Sequence, residues 1–248
     1  MTEEPVRPAA RGRILWLDTA RSAALAGMVL FHFTFDLEMF GLLPPGTTSS
    51  GGWAVFARIV AGSFLFLAGI GLWLAQGQGG GIRWRPFLRR LAQIAAAAAL
   101  ITAASRIAVP GAYIFWGILH CIAAASVIGL AFLRLPAGIT ALAAAAALAA
   151  PRLLTAPGWD LAPLGFLGLG AETPITLDYV PLFPWLGPFL AGLALAQAAG
   201  RAGLWPRLAG GPALLARLGW PGRHSLAVYL LHQPLLVGLL WLALRLRG

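Results

Sequence analysis

The stretch "RSAALAGMVLFHFTFD", Arg21 to Asp36, is apolar or small at most positions yet holds an arginine, a histidine and an aspartate. Its reading depends on its surroundings. The chain of 248 residues is 59% hydrophobic and only 10% charged, with a mean hydropathy of +0.81, whereas a soluble globular domain carries roughly 25% charged residues. The stretch therefore reads as part of a membrane-spanning helix, and the chain as an all-α integral membrane protein.

A helical span needs about 20 mostly apolar residues. Seven segments qualify: 14–35, 53–75, 87–104, 113–133, 136–151, 179–199 and 225–245. Turn-rich joints such as "GLLPPGTTSSGG", "GQGGGIRWRP", "APGWDLAP" and "GRAGLWPRLAGGP" separate several of them. The expectation is a polytopic helical bundle of about seven transmembrane helices, built as a single domain over 1–248 with a short cytoplasmic segment at 1–13.

Arginine placement supplies the orientation. With the N-terminus inside, Arg7, Arg11, Arg13, Arg83, Arg85, Arg89, Arg90, Arg134, Arg201, Arg207, Arg217 and Arg223 fall inside, against Arg106, Arg152, Arg245 and Arg247 outside. The terminal pair disagrees with seven spans, which leaves room for an eighth hydrophobic element in 153–170 or 204–220. The 18 basic residues are all arginine, with neither lysine nor asparagine in the chain. This composition suggests a GC-rich bacterial genome, hence a bacterial inner membrane. The net charge of +10 is not read as nucleic-acid binding, because the arginines sit at the ends of apolar runs. One cysteine, Cys121, excludes an intrachain disulfide and any multi-cysteine metal site, and no metal is expected. No cleavable signal peptide is evident in the first apolar run.

On a helix Arg21 and His32 are separated by roughly 20° around the axis and roughly 16 Å along it. Asp18 and Asp36 lie on the same face. Ionisable groups at membrane depth cost a few kcal/mol each unless they face the bundle interior or a water-filled cavity, so this stripe is expected to line a cavity. Two readings stand. Asp18 and Arg21 are interfacial anchors with His32 a packing residue, or His32 works chemically, with Asp36 one turn on fixing its tautomer and freeing the other nitrogen as base or nucleophile. Arg58, His120, Asp178 and Tyr179 fall at a similar depth and are candidates for binding a substrate. In the last span Ser225, Tyr229 and His232 share a face, and His232 joins the same candidates. In "GQGGGIRWRPFLRR" the arginines, Arg83 and Arg85 among them, either obey the positive-inside bias or contact phosphates, which their forked donors suit.

The blocks "RILWLDTARSAALAGMVLFHFTFDL", "GSFLFLAGIGLWLA", "WGILHCIAAASVIGL", "DYVPLFPWLGPFLAGLALA" and "GRHSLAVYLLHQPLL", in that order, resemble the bacterial heparan-α-glucosaminide N-acetyltransferase catalytic-domain family. The spacing of Arg21 and His32 is also similar to the arginine–histidine signature of the acyltransferase 3 family. The resemblance implies a transmembrane acyltransferase that takes an acyl group from cytoplasmic acetyl-CoA or another acyl-CoA. The acceptor would be a small molecule or glycan on the far side. It implies His32 as the catalytic base or transient acyl carrier, and Arg21 at the CoA end. An extended pantetheine arm matches the Arg21–His32 separation. Lysosomal relatives place a glucosamine-handling histidine in the following loop; here 41–52 has none, so acceptor identity does not carry across. A homodimer is compatible with the reading. The rivals are a proton-coupled transporter or channel using a His/Asp/Arg relay, and a non-catalytic membrane subunit.

Overall fold

A computed structural model describes residues 13–79 and 81–246; Arg7, Arg11, Arg247 and most of the expected N-terminal segment lie outside the described residues. All seven apolar segments form helices: α1 Leu15–Met39, α2 Gly51–Gln76, α3 Trp84–Ala108, α4 Ile118–Phe132, α5 Ala137–Leu154, α6 Leu182–Arg201 and, after three short helices, α10 Ser225–Arg245. Five of them, α2, α3, α5, α6 and α10, are long and apolar enough to cross a membrane. α4 is apolar but only 15 residues long. α1 has 25 residues and carries the charged stripe.

Among the described residues no eighth span exists. Residues 157–159 and 162–167 make short 3-10 helices. Residues 204–223 break into α7 Leu204–Arg207, α8 Ala213–Leu218 and α9 Trp220–Arg223. The reason is punctuation: Gly203, Gly210 and Gly211 adopt positive φ, and Pro206, Pro212 and Pro221 cut the intervening apolar runs.

The core is built around α6, with α2 and α5 packed along it and α4 against both α2 and α6. Leu65, Phe189, Leu190 and Leu193 are fully buried there. Glycines set the spacing of α2 and α6: a Cβ on Gly69 would lie 2.0 Å from the Phe189 carbonyl oxygen, and one on Gly192 equally close to that of Phe66. Such close backbone approach is how membrane helices gain packing without a hydrophobic driving force.

α1 lies outside this core, between α2 on one side and α8, α9 and α10 on the other. It is fixed at its start, where Gly222 donates its N–H to Ser22 Oγ at 2.9 Å and has no room for a side chain beside the Asp18 carbonyl. Gly41, at φ 73°, ends the helix, with the Leu42 N–H returning to the Leu37 carbonyl. The following loop folds around Glu38, whose carboxylate accepts the N–H groups of Gly46 and Thr48 and the Thr48 hydroxyl. Ser22 meets Gly222, His32 meets His232 and Asp36 meets Gln233, so α1 and the α9–α10 segment run in the same direction.

Candidate active site

The start of α1, the end of α2, the start of α3 and α9 enclose one end of a cavity of about 520 Å³. This end is lined by Arg13, Arg21, Arg83, Arg90 and Arg223. Asp18, 3% exposed, accepts from Arg13 Nε at 2.5 Å and Arg21 Nη1 at 3.2 Å, which holds Arg21 in place without consuming its other donors. Arg83 hydrogen-bonds the Ala75 carbonyl. Deeper in, the walls become apolar, with Phe64, Leu67, Leu119 and Ile122, and Tyr229 of α10 lines the cavity as well. Arginines followed by an apolar shaft suit a ligand with an anionic head and a long thin tail.

Tyr229 leads to the histidines. Its ring lies 5.6 Å, centroid to centroid, from that of His232, which in turn lies 4.9 Å from His32, edge to face. One turn on, Asp36 is fully buried and accepts from Gln233 Nε2 at 2.5 Å. Here the structure corrects an expectation. Asp36 does not hold His32: its Oδ1 is taken by Gln233 and its Oδ2 has no partner. Four buried polar atoms in this cluster lack hydrogen bonds, namely His32 Nδ1, Asp36 Oδ2, His232 Nε2 and Gln233 Oε1. Each such atom costs on the order of 1–3 kcal/mol, and a concentration of them marks a place built for something other than packing.

The remaining candidates lie elsewhere. Arg58 is exposed on α2, and Arg85 is exposed at the start of α3; neither lines the cavity. His120 points toward α3, where Thr102 Oγ1 is 3.3 Å from its Nε2, while its Nδ1 accepts the Gly117 N–H. Asp178 sits behind the start of α4 and accepts the Ile118 N–H at 3.3 Å; burial pushes its carboxyl up to about 6, against the opposing pull of that hydrogen bond. Tyr179 donates its hydroxyl to the Gly165 carbonyl at 2.6 Å. Arg58, Arg85, His120 and Tyr179 are thus not brought to the His32 cluster by any described contact, whereas Arg21 and Arg83 line the cavity, His232 lies beside its Tyr229 wall, and Asp178 lies within electrostatic reach of Tyr229. Among the described residues no group of three or more His, Cys, Asp or Glu is arranged to hold a metal ion.

Sequence reasoning did not single out Arg13, Arg90, Arg223 or Gln233. Arg83 and Arg90 are seven residues apart, about two helical turns, a spacing that puts both on one side of α3. Gln233 carried no signal, because only the fold brings it to Asp36.

The catalytic-domain model of heparan-alpha-glucosaminide N-acetyltransferase matches residues 13–234, a range that contains the arginine-lined cavity and both histidines. The chain belongs to that family. No curated protein and no solved structure matches it. Membership in the heparan-alpha-glucosaminide N-acetyltransferase family makes the chain a membrane acetyltransferase, with several helices able to cross the bilayer.

Proposed function

We propose that this protein transfers an acetyl group from cytoplasmic acetyl-CoA to a sugar or glycan acceptor on the far side of the membrane, with His32 as the catalytic residue. The observation that supports this reading is an arginine-lined cavity that ends at Tyr229, whose ring is followed in packed contact by those of His232 and His32. Arg21, Arg83, Arg90 and Arg223 receive the phosphates of CoA, and the apolar shaft takes the pantetheine arm. Phosphates held at one end and a thioester delivered at the other convert an encounter into a positioned reaction.

At the histidine, the acceptor O–H or N–H gives its proton to His32. The acceptor lone pair attacks the thioester carbonyl, the C–S bond breaks, and the imidazolium returns the proton to the CoA thiolate. Where His32 acts instead as carrier, its nitrogen attacks the thioester carbonyl and the C–S bond breaks to release the CoA thiolate; the acceptor then takes the acetyl group from the acetyl-imidazolium, and the proton it gives up balances the thiolate. A burst of CoA release ahead of product marks the second course.

The test is His32→Ala. It should keep acetyl-CoA binding and thermal stability while turnover falls by about a hundredfold or more, the range ascribed to a lost general base. Wild-type turnover in a folded, CoA-binding His32→Ala protein overturns the reading. A transport path lined by His32 and Asp36 would then be favoured, and proton flux in sealed vesicles would report it.

A further inference from the structure

His232 Nδ1 lies 2.6 Å from the Tyr229 carbonyl oxygen. A carbonyl only accepts, so this nitrogen carries the hydrogen, and the neutral ring is left with a bare lone pair on Nε2. That Nε2 is buried and has no partner. It is an acceptor in need of a donor. The neighbouring ring supplies one: His32 Nδ1 is also buried and unpartnered, and the two rings are in edge-to-face contact. Of the two ring nitrogens of His32, only Nδ1 is both sealed from solvent and without a partner.

We infer that His232 is the positioning residue of His32: the Tyr229 carbonyl fixes the tautomer of His232, and His232 Nε2 accepts the Nδ1 proton of His32 in the working enzyme. A turn of the His32 ring, whose Nδ1 has no bond to break, brings that atom toward His232 Nε2, each atom being what the other lacks. His32 is thereby held as the Nδ1–H tautomer, with its lone pair on Nε2, and the imidazolium formed when Nε2 takes a proton is stabilised by a stronger Nδ1–H hydrogen bond. The relay runs from a main-chain carbonyl through two imidazoles and uses no carboxylate. Asp36, engaged with Gln233, ties α10 to α1 at the level of this pair. The inference rests on the acetyltransfer reading for its catalytic consequence, but the tautomer it requires is a property of the resting protein.

Histidine-selective ¹⁵N labelling of the full chain in detergent reads that tautomer directly, since the chain has four histidines and His32→Ala and His232→Gln assign two of them. The wild type should show both His232 and His32 as Nδ1–H. His232→Leu should abolish the preference at His32 and lower kcat by about a hundredfold, leaving the KM for acetyl-CoA within about twofold, with glucosamine as acceptor probe. His232→Gln keeps an acceptor oxygen close to the position of Nε2, so it should hold the His32 tautomer and recover about tenfold of the lost kcat. An Nε2–H tautomer at His32 in the wild type overturns the inference, and so does a His232→Leu protein with unchanged tautomer and kcat. Should His232→Leu not fold, the wild-type spectrum and His232→Gln decide alone. Absence of acetyl-CoA binding and turnover in the wild type overturns the acetyltransfer reading instead, while the spectrum still reports on the relay.

Discussion

His32 and His120 are both histidines within apolar helices, and each has a carboxylate close by, yet the two imidazoles are bonded in opposite ways. Around His120 every polar valence of the ring is filled. Thr102 gives its single hydroxyl proton to the Ile114 carbonyl at 2.7 Å, so toward His120 it accepts, and the imidazole is fixed as Nε2–H with Nδ1 taking the Gly117 N–H. Around His32 the groups are gathered but not joined, and four buried polar atoms remain unpartnered. A filled network rigidifies; an unfilled one holds free energy that a bound substrate can release. Residue type alone does not separate the two sites, whereas bonding state does.

Substitutions at the two histidines should have opposite consequences. His120→Leu should lower stability by about 3 kcal/mol, because the Gly117 N–H and the Thr102 hydroxyl each lose a buried partner, and should leave turnover close to wild type. His32→Ala is expected to do the reverse. Thermal unfolding and acetyl-CoA turnover on the same preparations check both, and a His120→Leu protein that unfolds normally but has lost turnover would show the filled network to be the working one.

What was legible in the sequence follows the same division. The seven helices were readable because each is a run of apolar residues bounded by glycine, proline or arginine, and the described helices fall on those runs. The stripe on α1 was readable because helical periodicity is local. The partners of that stripe were not: Asp36 looked able to reach His32 one turn away, but the residue that takes its Oδ1 is Gln233, 197 positions on. The helix order in space, α1 beside α10, decides this, and it depends on backbone contacts such as Gly222 against Asp18 that leave little trace in hydrophobic patterning. The arginines of the cavity were legible only in part, for a different reason. Arg90 and Arg223 obey the positive-inside bias as well as any loop arginine, and only the cavity that they line separates them from Arg85.

A second, smaller effect is expected at the other end of α1, where polar groups are paired but retain spare donors. Arg21→Ala should weaken acetyl-CoA binding by about tenfold, about 1.4 kcal/mol, since on the proposed function it removes one of the guanidiniums that face the CoA phosphates while Arg83, Arg90 and Arg223 remain. Calorimetry with CoA checks it. The effect should diminish as salt is raised. Unchanged affinity would remove Arg21 from the donor site and leave its pairing with Asp18 as its whole role.

The smallest effect concerns Asp178, on the filled side of the comparison. Its carboxyl is half-buried behind α4 and is pushed up from 3.8 to about 6 by loss of water, with the Ile118 N–H opposing the shift. Below pH 3.8 the group is protonated in both folded and unfolded chains and imposes no penalty. Between 3.8 and about 6 the unfolded chain releases its proton first, so stability declines as pH rises through that window and the penalty is constant above it. Asp178→Asn keeps an oxygen for the Ile118 N–H and removes the charge. It should therefore unfold a few degrees higher than the wild type at pH 7, with the difference closing toward pH 4. Other groups titrate in both proteins, so the difference between the two melting curves is the quantity to follow. Parallel pH profiles for the two proteins would mean that the Asp178 carboxylate is not paying for burial, and that water reaches the start of α4 in the folded protein.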